Sequence, residues 1–372
     1  MKVLFISHEA TRTGAPLVLL SLLRSIKQRQ GIDFELLLLE DGILHKDFAA
    51  LSRVILPKKK KTLARRIVRK LSNNSETYPI DYSFLDGEKY DCIFANTIAS
   101  LPVAATIKQI INKPLLLYVH ESQFFQDYIG ISEENLRLCD NIIAVSNKVK
   151  KDLITLHGIA VERICVIHPF SPFSEEIKPT PTSSSSNFLT IGMAGTASWT
   201  KGIDLLPLVI KSFTTTYPNI ECRFVWVGEI DELTRKRLFH DAKHLRVEDK
   251  MYFIPCQDNP IPEYSRFDVF LLLSREDSFP LVCLENAMLG NPIVCMDGAS
   301  GITDFIGNDA GIIVPYMDFG EISKALYTLH TNKDYSASLA KKAQETAFTK
   351  FSKEQSVDNI INLIDTCYKP CH

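Results

Sequence analysis

Short apolar, β-branched runs alternate with longer helix-like stretches along almost the whole chain, and this alternation leaves few folds open. Runs without polar interruption belong to strands covered on both faces, which means parallel sheets flanked by helices. In the first half the spacing predicts strands over Val3–Ser7, Glu35–Leu39, Cys92–Ala95, Leu115–Val119, Asn141–Val145 and Arg163–Ile167. Helical stretches lie between them over Ala15–Gln30, Leu101–Ile111, Ser132–Cys139 and Lys148–His157. A Pro-rich segment with a Ser183–Ser186 run then reads as a linker. The alternation restarts with strands expected over Thr190–Ala194, Arg223–Val227, Met251–Ile254, Val269–Leu273, Pro292–Cys295 and Ile312–Val314. Two successive doubly wound domains follow, 1–170 and 188–352, with 171–187 joining them. Ligands in such sheets bind beyond the carboxyl ends of the strands, so both domains are expected to turn their loops to a shared cleft. The amphipathic stretch Lys353–Tyr368 is expected to cross back onto the first domain.

At 372 residues and 45% hydrophobic the chain suits two ordinary domains, and its formal net charge of −2 offers no global field for nucleic acid. Its 9 Cys are scattered with no CxxC pair and several sit in apolar runs, so they read as reduced thiols of a cytosolic protein. The opening MKVLFISHEA has an apolar run too short for a secretory signal, and no apolar stretch approaches the length of a bilayer span. The protein is expected on the cytoplasmic side.

The most informative stretch is LLLSREDSFPLVCLENAMLGNPIVCM, Leu271 to Met296. An apolar strand ends at Ser274, and a helix is expected from about Ser278, with Pro280 in its first turn and a stop at Gly290. Strand, tight turn and helix N-terminus make a ready anion site, where unpaired N–H groups and the positive dipole end face the ligand. Asp277 and Glu285 flank it, roughly 12 Å apart by helical rise. That span suits a nucleotide sugar. It suits equally an acidic first turn and a solvated Glu, and spacing alone leaves both readings open.

This segment resembles the E-x7-E region of family 4 glycosyltransferases, which reads E-G-F-G-x-x-x-x-E-A-M-A-x-G-x-P-V-V. Here Asp277-Ser278-Phe279-Pro280-Leu281-Val282-Cys283-Leu284-Glu285 is followed by Asn286-Ala287-Met288-Leu289-Gly290-Asn291-Pro292-Ile293-Val294. The first acid is Asp277, with Glu276 beside it one place out of register. The form SREDxFPLVxLE is similar to a bacterial branch that builds surface polysaccharides. The resemblance implies the GT-B fold of two facing Rossmann-like domains and a retaining transfer of sugar from a nucleotide diphosphate.

Three further stretches fit that resemblance. Gly195-Thr196-Ala197-Ser198-Trp199-Thr200-Lys201-Gly202 is neither a P-loop nor a dinucleotide fingerprint. It resembles the family's G-R-x-x-x-x-K-G loop, which grips the donor phosphates. Lys201 and Gly202 match, whereas Thr196 replaces the usual Arg and removes a bidentate clamp. His8 to Pro16 joins the first strand to a helix and resembles the family's glycine-containing diphosphate loop, with Gly14 as its close-approach residue. His120 ends the strand LLLYVHES, where the resemblance implies contact with the donor sugar beside the reacting carbon. Asn141–Ser146 matches a structural stretch of the family, and Cys256–Pro260 falls where a loop frames the base. No Asp-x-Asp occurs, so phosphate neutralisation is expected from Lys201 and helix dipoles with no metal or other cofactor.

Phe48 to Ser75 holds no acidic residue, but carries Lys58–Lys61, Arg65, Arg66, Arg69 and Lys70. Leu63, Ile67 and Leu71 recur at helical spacing, giving a basic amphipathic segment suited to an anionic membrane surface at ~1 kcal/mol per nearby basic residue. A solvated loop fits the same residues. Nucleic acid is disfavoured because stacking aromatics are missing.

Together these features imply a retaining, metal-independent hexosyltransferase of GT-B architecture. Lys201, Gly195, Thr196 and the Ser278, Phe279, Leu281 and Val282 helix start would hold the diphosphate, and Glu285 the ribose. Asp277 would hold the donor sugar while His120 steadies the reacting ring. The acceptor would be a sugar or a lipid-linked species, met on the inner face of the membrane through residues 58–70. A sugar-nucleotide epimerase and a non-catalytic partner subunit are the alternatives.

Overall fold

The computed structural model describes residues 1–29, 31–57, 80–86, 89–178 and 188–368. The chain divides into two units, Met1–Pro172 with Glu354–His372, and Phe173–Lys353.

The first unit is a seven-stranded sheet in the order β3-β2-β1-β4-β5-β6-β7, every pair parallel. Its strands are β1 (Lys2–Ser7), β2 (Asp33–Leu38), β3 (Val54–Ile55), β4 (Cys92–Ala95), β5 (Leu115–Val119), β6 (Asn141–Ala144) and β7 (Ile164–Val166). Val3, Leu4, Phe5 and Ile6 are each 0% exposed, which explains why β1 reads as a continuous apolar run: helices cover both faces. The second unit is a six-stranded parallel sheet ordered β10-β9-β8-β11-β12-β13. These strands are β8 (Phe188–Ala194), β9 (Glu221–Val227), β10 (Met251–Ile254), β11 (Val269–Leu272), β12 (Ile293–Met296) and β13 (Ile312–Val314). Both units are therefore doubly wound Rossmann-like α/β sheets, the fold that the alternation demands.

In each sheet the order reverses once, between β1 and β4 and between β8 and β11. At such a switch point the connecting helices leave on opposite faces, opening a crevice at the carboxyl ends of the strands. The loops after β1, β4 and β5, and those after β8, β11 and β12, are thus the places for a site in each unit. The opposite end of the first sheet is structural. There Glu35, 5% exposed, receives Lys2 at 3.1 Å, Lys89 at 2.6 Å and the Tyr90 hydroxyl at 2.5 Å. Burial alone would raise Glu35, but these partners outweigh it and hold the carboxyl at about 2.

Several expectations shift at their edges. The two-residue strand β3 and the helix Gln123–Ile129 add to the expected elements. Part of the segment read as a linker is packed: Ser171 and Ile177 are buried despite the Pro and Ser around them. The rest of that segment, 179–187, and the basic stretch 58–70 lie outside the described residues. The helix Lys353–Tyr368 belongs to the first unit, where the Ser356 hydroxyl donates to the His168 carbonyl at 2.8 Å. Among the described residues no helix is long and apolar enough to cross a membrane.

Candidate functional site

In the second unit, β8 ends at Ala194 and the loop Gly195–Gly202 carries Lys201 back to the switch point. The loop is held from both sides. Gly195 donates its N–H to the Val227 carbonyl at 3.0 Å, and the Trp226 indole donates to the Gly195 carbonyl at 2.8 Å. From the loop after β11, the Arg275 N–H donates to the Thr200 carbonyl at 2.8 Å. The Arg275 guanidinium donates to the Trp199 carbonyl at 2.8 Å, grips Asp204 in a fork and lies 4.8 Å from the centre of the Trp199 ring. Gly202 has φ +72° and its α-carbon faces the Leu273 carbonyl so closely that a Cβ would lie 2.0 Å from that oxygen. Only glycine lets the loop pass β11 at this distance.

This scaffold brings Lys201 directly onto Asp277, forming an ion pair in which the carboxylate side chain is 8% exposed and the lysine 31%. Asp277 also takes the Ser274 hydroxyl at 3.4 Å. Sequence reasoning placed Asp277 on the approach to a helix starting at Ser278. Instead it forms a strand-like bridge with Ser300, donating its N–H to the Ala299 carbonyl at 2.9 Å. The helix runs Leu281–Leu289, with Pro280 as its N-cap rather than within its first turn. The separation estimated from helical rise therefore does not describe Asp277 and Glu285, because Asp277 is held in the bridge and the helix begins only at Leu281. Ser278 is consequently not the cap. The Phe279 ring stacks on Phe351 at 5.9 Å between centroids, so only its backbone is available to an anion. Leu281 and Val282 open the helix, and no side chain caps it, so their N–H groups keep the anion-binding character of a helix start.

Glu285 lies mid-helix and is 4% exposed, which excludes the solvated-Glu reading. Burial, with the charges of Glu285 and then Cys256 adding, pushes the Tyr264 phenol upward, and the Tyr264 N–H donates to the Pro260 carbonyl at 3.1 Å. Thr196 is exposed, and Arg275, committed to Asp204 and Trp199, does not take the place of the missing arginine. Among the described residues no group of three or more His, Cys, Asp or Glu could hold a metal ion.

In the first unit, the loop after β1 folds around Glu9, whose Oε1 receives Thr11 at 2.8 Å and Thr13 at 3.2 Å and pairs with His8 at 3.3 Å. Gly14 is exposed and opens the helix Gly14–Gln28, whose N-cap Thr13 makes no side-chain cap. His120 follows β5, its ring 4.1 Å from that of Tyr118 between centroids, and its Nε2 is buried with no partner. Burial, with His8 adding positive charge nearby, pushes His120 down to about 3. Sequence reasoning missed His8, Thr97 and Glu121. His8 Nδ1 lies 2.9 Å from Thr97 Oγ1, and Glu121 binds the next residue, Ile98. Beside them a cavity of about 550 Å³ is lined by Ile98, Leu101, Pro102, Tyr128, Ile131 and Asn135.

The depressed His120 has a direct consequence. Its imidazole is expected to stay neutral across pH 5 to 8, able to accept or donate one hydrogen bond but not to serve as a titrating acid. Because the unfolded chain takes the proton near the ordinary histidine value of 6.5, this group's share of stability is complete above that pH. It declines as pH falls toward 3. Histidine NMR should show no His120 midpoint above pH 5, and a midpoint near 6.5 would contradict the burial argument.

Residues 174–346 match the family model described as "Glycosyl transferases group 1", and residues 13–171 match that described as "Glycosyltransferase Family 4". The chain is 25% identical to N-acetyl-alpha-D-glucosaminyl L-malate synthase of Bacillus anthracis, over 43% of this chain and 40% of that one. It is 23% identical to D-inositol 3-phosphate glycosyltransferase of Gordonia bronchialis, over 72% of this chain and 59% of that one. In each case the match spans less than two thirds of the relative's length. Among solved structures, Anabaena HepE in complex with UDP and glucose superposes with TM-score 0.76 at 20% identity, over 98% of this chain and 100% of that chain.

Proposed function

This chain belongs to the glycosyltransferases, whose two family models span its two units, and from that premise we propose that it transfers a sugar from a nucleoside diphosphate-sugar to an acceptor with retention. The observation that carries this reading is the Lys201–Asp277 pair, set at a sheet switch point beside an uncapped helix start and a buried Glu285.

In this reading the diphosphate takes the Lys201 ammonium and the Leu281 and Val282 N–H groups, which stabilise the charge that grows on the leaving phosphate. No metal is needed for that neutralisation. Glu285 accepts from ribose hydroxyls. Asp277, released from Lys201 as the diphosphate claims the ammonium, holds the donor sugar's hydroxyls. Neutral His120 steadies the reacting ring, and the leaving phosphate takes the acceptor's proton on the same face of the sugar. The protein thus works by positioning and charge stabilisation rather than with a strong base. The cavity beside Ile98 supports the first unit as the acceptor side, and the bacterial-branch resemblance supports surface polysaccharide or glycolipid assembly.

A second reading is kept by Thr196: without the usual guanidinium the chain would be a non-catalytic partner subunit. Nucleoside diphosphate release from UDP- and GDP-sugars, with the product's anomeric configuration read by proton NMR, decides between them. Turnover with the donor's configuration preserved is expected. An inverted product removes the retention claim, and nucleotide binding without turnover in the presence of sugar and lipid-linked acceptors favours the partner subunit.

A further inference from the structure

We propose that Glu121 is a positioning residue that locks His120 and His8 into one unit at the carboxyl ends of β5, β4 and β1. The carboxylate of Glu121 binds backbone on both sides. Oε1 accepts the Ile98 N–H at 3.0 Å, and Oε2 accepts the His120 N–H at 3.0 Å. One side chain therefore fixes the backbone that bears His120 and the first turn after β4.

That turn leads straight to His8. Thr97 caps the 3₁₀ turn Ile98–Ser100 in a reciprocal box with Ser100, and its Oγ1 lies 2.9 Å from His8 Nδ1. The path His120–Glu121–Ile98–Thr97–His8 thus joins three strands through contacts of hydrogen-bond length. The far side of Glu121 is anchored as well: the Gln126 amide donates to the Glu121 carbonyl at 2.9 Å, and Gln126 Oε1 meets His157 at 3.1 Å.

The requirement is for an acceptor with two oxygens. A glutamine would turn an NH₂ toward one of the backbone donors and keep only one side of the clamp, and an alanine would keep neither. Burial pushes the Glu121 carboxyl up to about 7 against the pull of its N–H partners. Both oxygens therefore accept only in the ionised form, above about pH 7, and below it one of them carries a proton. An alternative reading makes Glu121 only a cap for the turn. In that case its loss lowers stability and leaves the imidazoles of the folded protein where they were.

The inference rests on the sugar-transfer reading for its kinetic consequence, but not for its structural one. The test compares wild type, Glu121→Gln and Glu121→Ala in the full chain. The imidazole resonances of His8 and His120 are assigned by their own substitutions, and kcat, KM and UDP or GDP affinity are measured beside them. Both variants should move the His120 and His8 resonances. They should also lower kcat at least tenfold, Glu121→Ala more than Glu121→Gln, with nucleotide affinity within twofold of wild type. Unmoved imidazole resonances, or kcat unchanged in a variant with moved resonances, would overturn the proposal. Should Glu121→Ala fail to fold, Glu121→Gln decides alone. Should wild type turn over no nucleotide sugar, the sugar-transfer reading fails, and the resonances still decide whether Glu121 positions the two imidazoles.

Discussion

Lys201→Met is expected to lower kcat/KM at least about 100-fold, which is the effect of removing one charged stabiliser from a preorganised site. Two causes add. The diphosphate loses its cation, and Asp277, 8% exposed at its side chain, is left as a buried carboxylate without its partner. Removing one partner of a buried pair costs about 3–5 kcal/mol of stability; Lys201 keeps solvent access, so roughly 2–3 kcal/mol is expected here. The companion variant Asp277→Asn separates the roles. It frees Lys201 for phosphate, so the nucleoside diphosphate should bind at least as tightly as in wild type, whereas transfer should fall because the sugar loses an acceptor. Titration calorimetry and steady-state rates read the two effects. If both variants keep wild-type nucleotide affinity and lose only stability, Lys201 is a structural counter-ion and the phosphate role is wrong.

Gly202→Ala should be the most destabilising single substitution in the donor loop. With φ +72° the backbone lies in the left-handed region, and the new Cβ would sit 2.0 Å from the Leu273 carbonyl oxygen. Strain alone costs about 1 kcal/mol, and displacing the loop from β11 raises the total to about 3–5 kcal/mol. For a unit of this size that is a drop in Tm on the order of 10 °C. Gly298→Ala is the matched control, because φ is +67° and a Cβ there would have no atom within 4 Å. It should cost only the strain, roughly 1 kcal/mol. Thermal unfolding of the two variants side by side checks this; equal Tm values would show that the approach of Gly202 to β11 carries no energy.

These two positions also show where a sequence speaks and where it stops. Strands such as Val269–Leu272 and Leu115–Val119 are legible because burial on both faces writes itself as an apolar run. Lys201 and Gly202 stand out only because their loop resembles the family's G-R-x-x-x-x-K-G pattern; no local physical signal marks them. The start of the helix Leu281–Leu289 is misread for a physical reason: Ser278 and Pro280 make a sound local cap pattern, yet the bridge of Asp277 to Ser300 competes and wins. That partner is far along the chain and no local signal announces it. The same distance hides the Lys201–Asp277 pair itself. His8, Thr97 and Glu121 come from the ends of three strands, and each alone looks like an ordinary polar loop residue. Topology makes the cluster, since β1, β4 and β5 lie side by side in the sheet. A polar residue directly after an apolar strand, repeated at neighbouring strands, is the one signal that could have drawn attention to them.

The central claim is that the second unit holds a nucleoside diphosphate through Lys201, the helix start and Glu285 without a metal. The most direct test is thermal unfolding of wild type and Glu285→Gln with UDP and with GDP, in the absence of divalent ions. Ligand at 100 times its Kd stabilises by about 2.7 kcal/mol, a shift of several degrees. The account predicts that shift with one of the two nucleotides in wild type and its loss in Glu285→Gln. No shift with either nucleotide, or an equal shift in the variant, would contradict it.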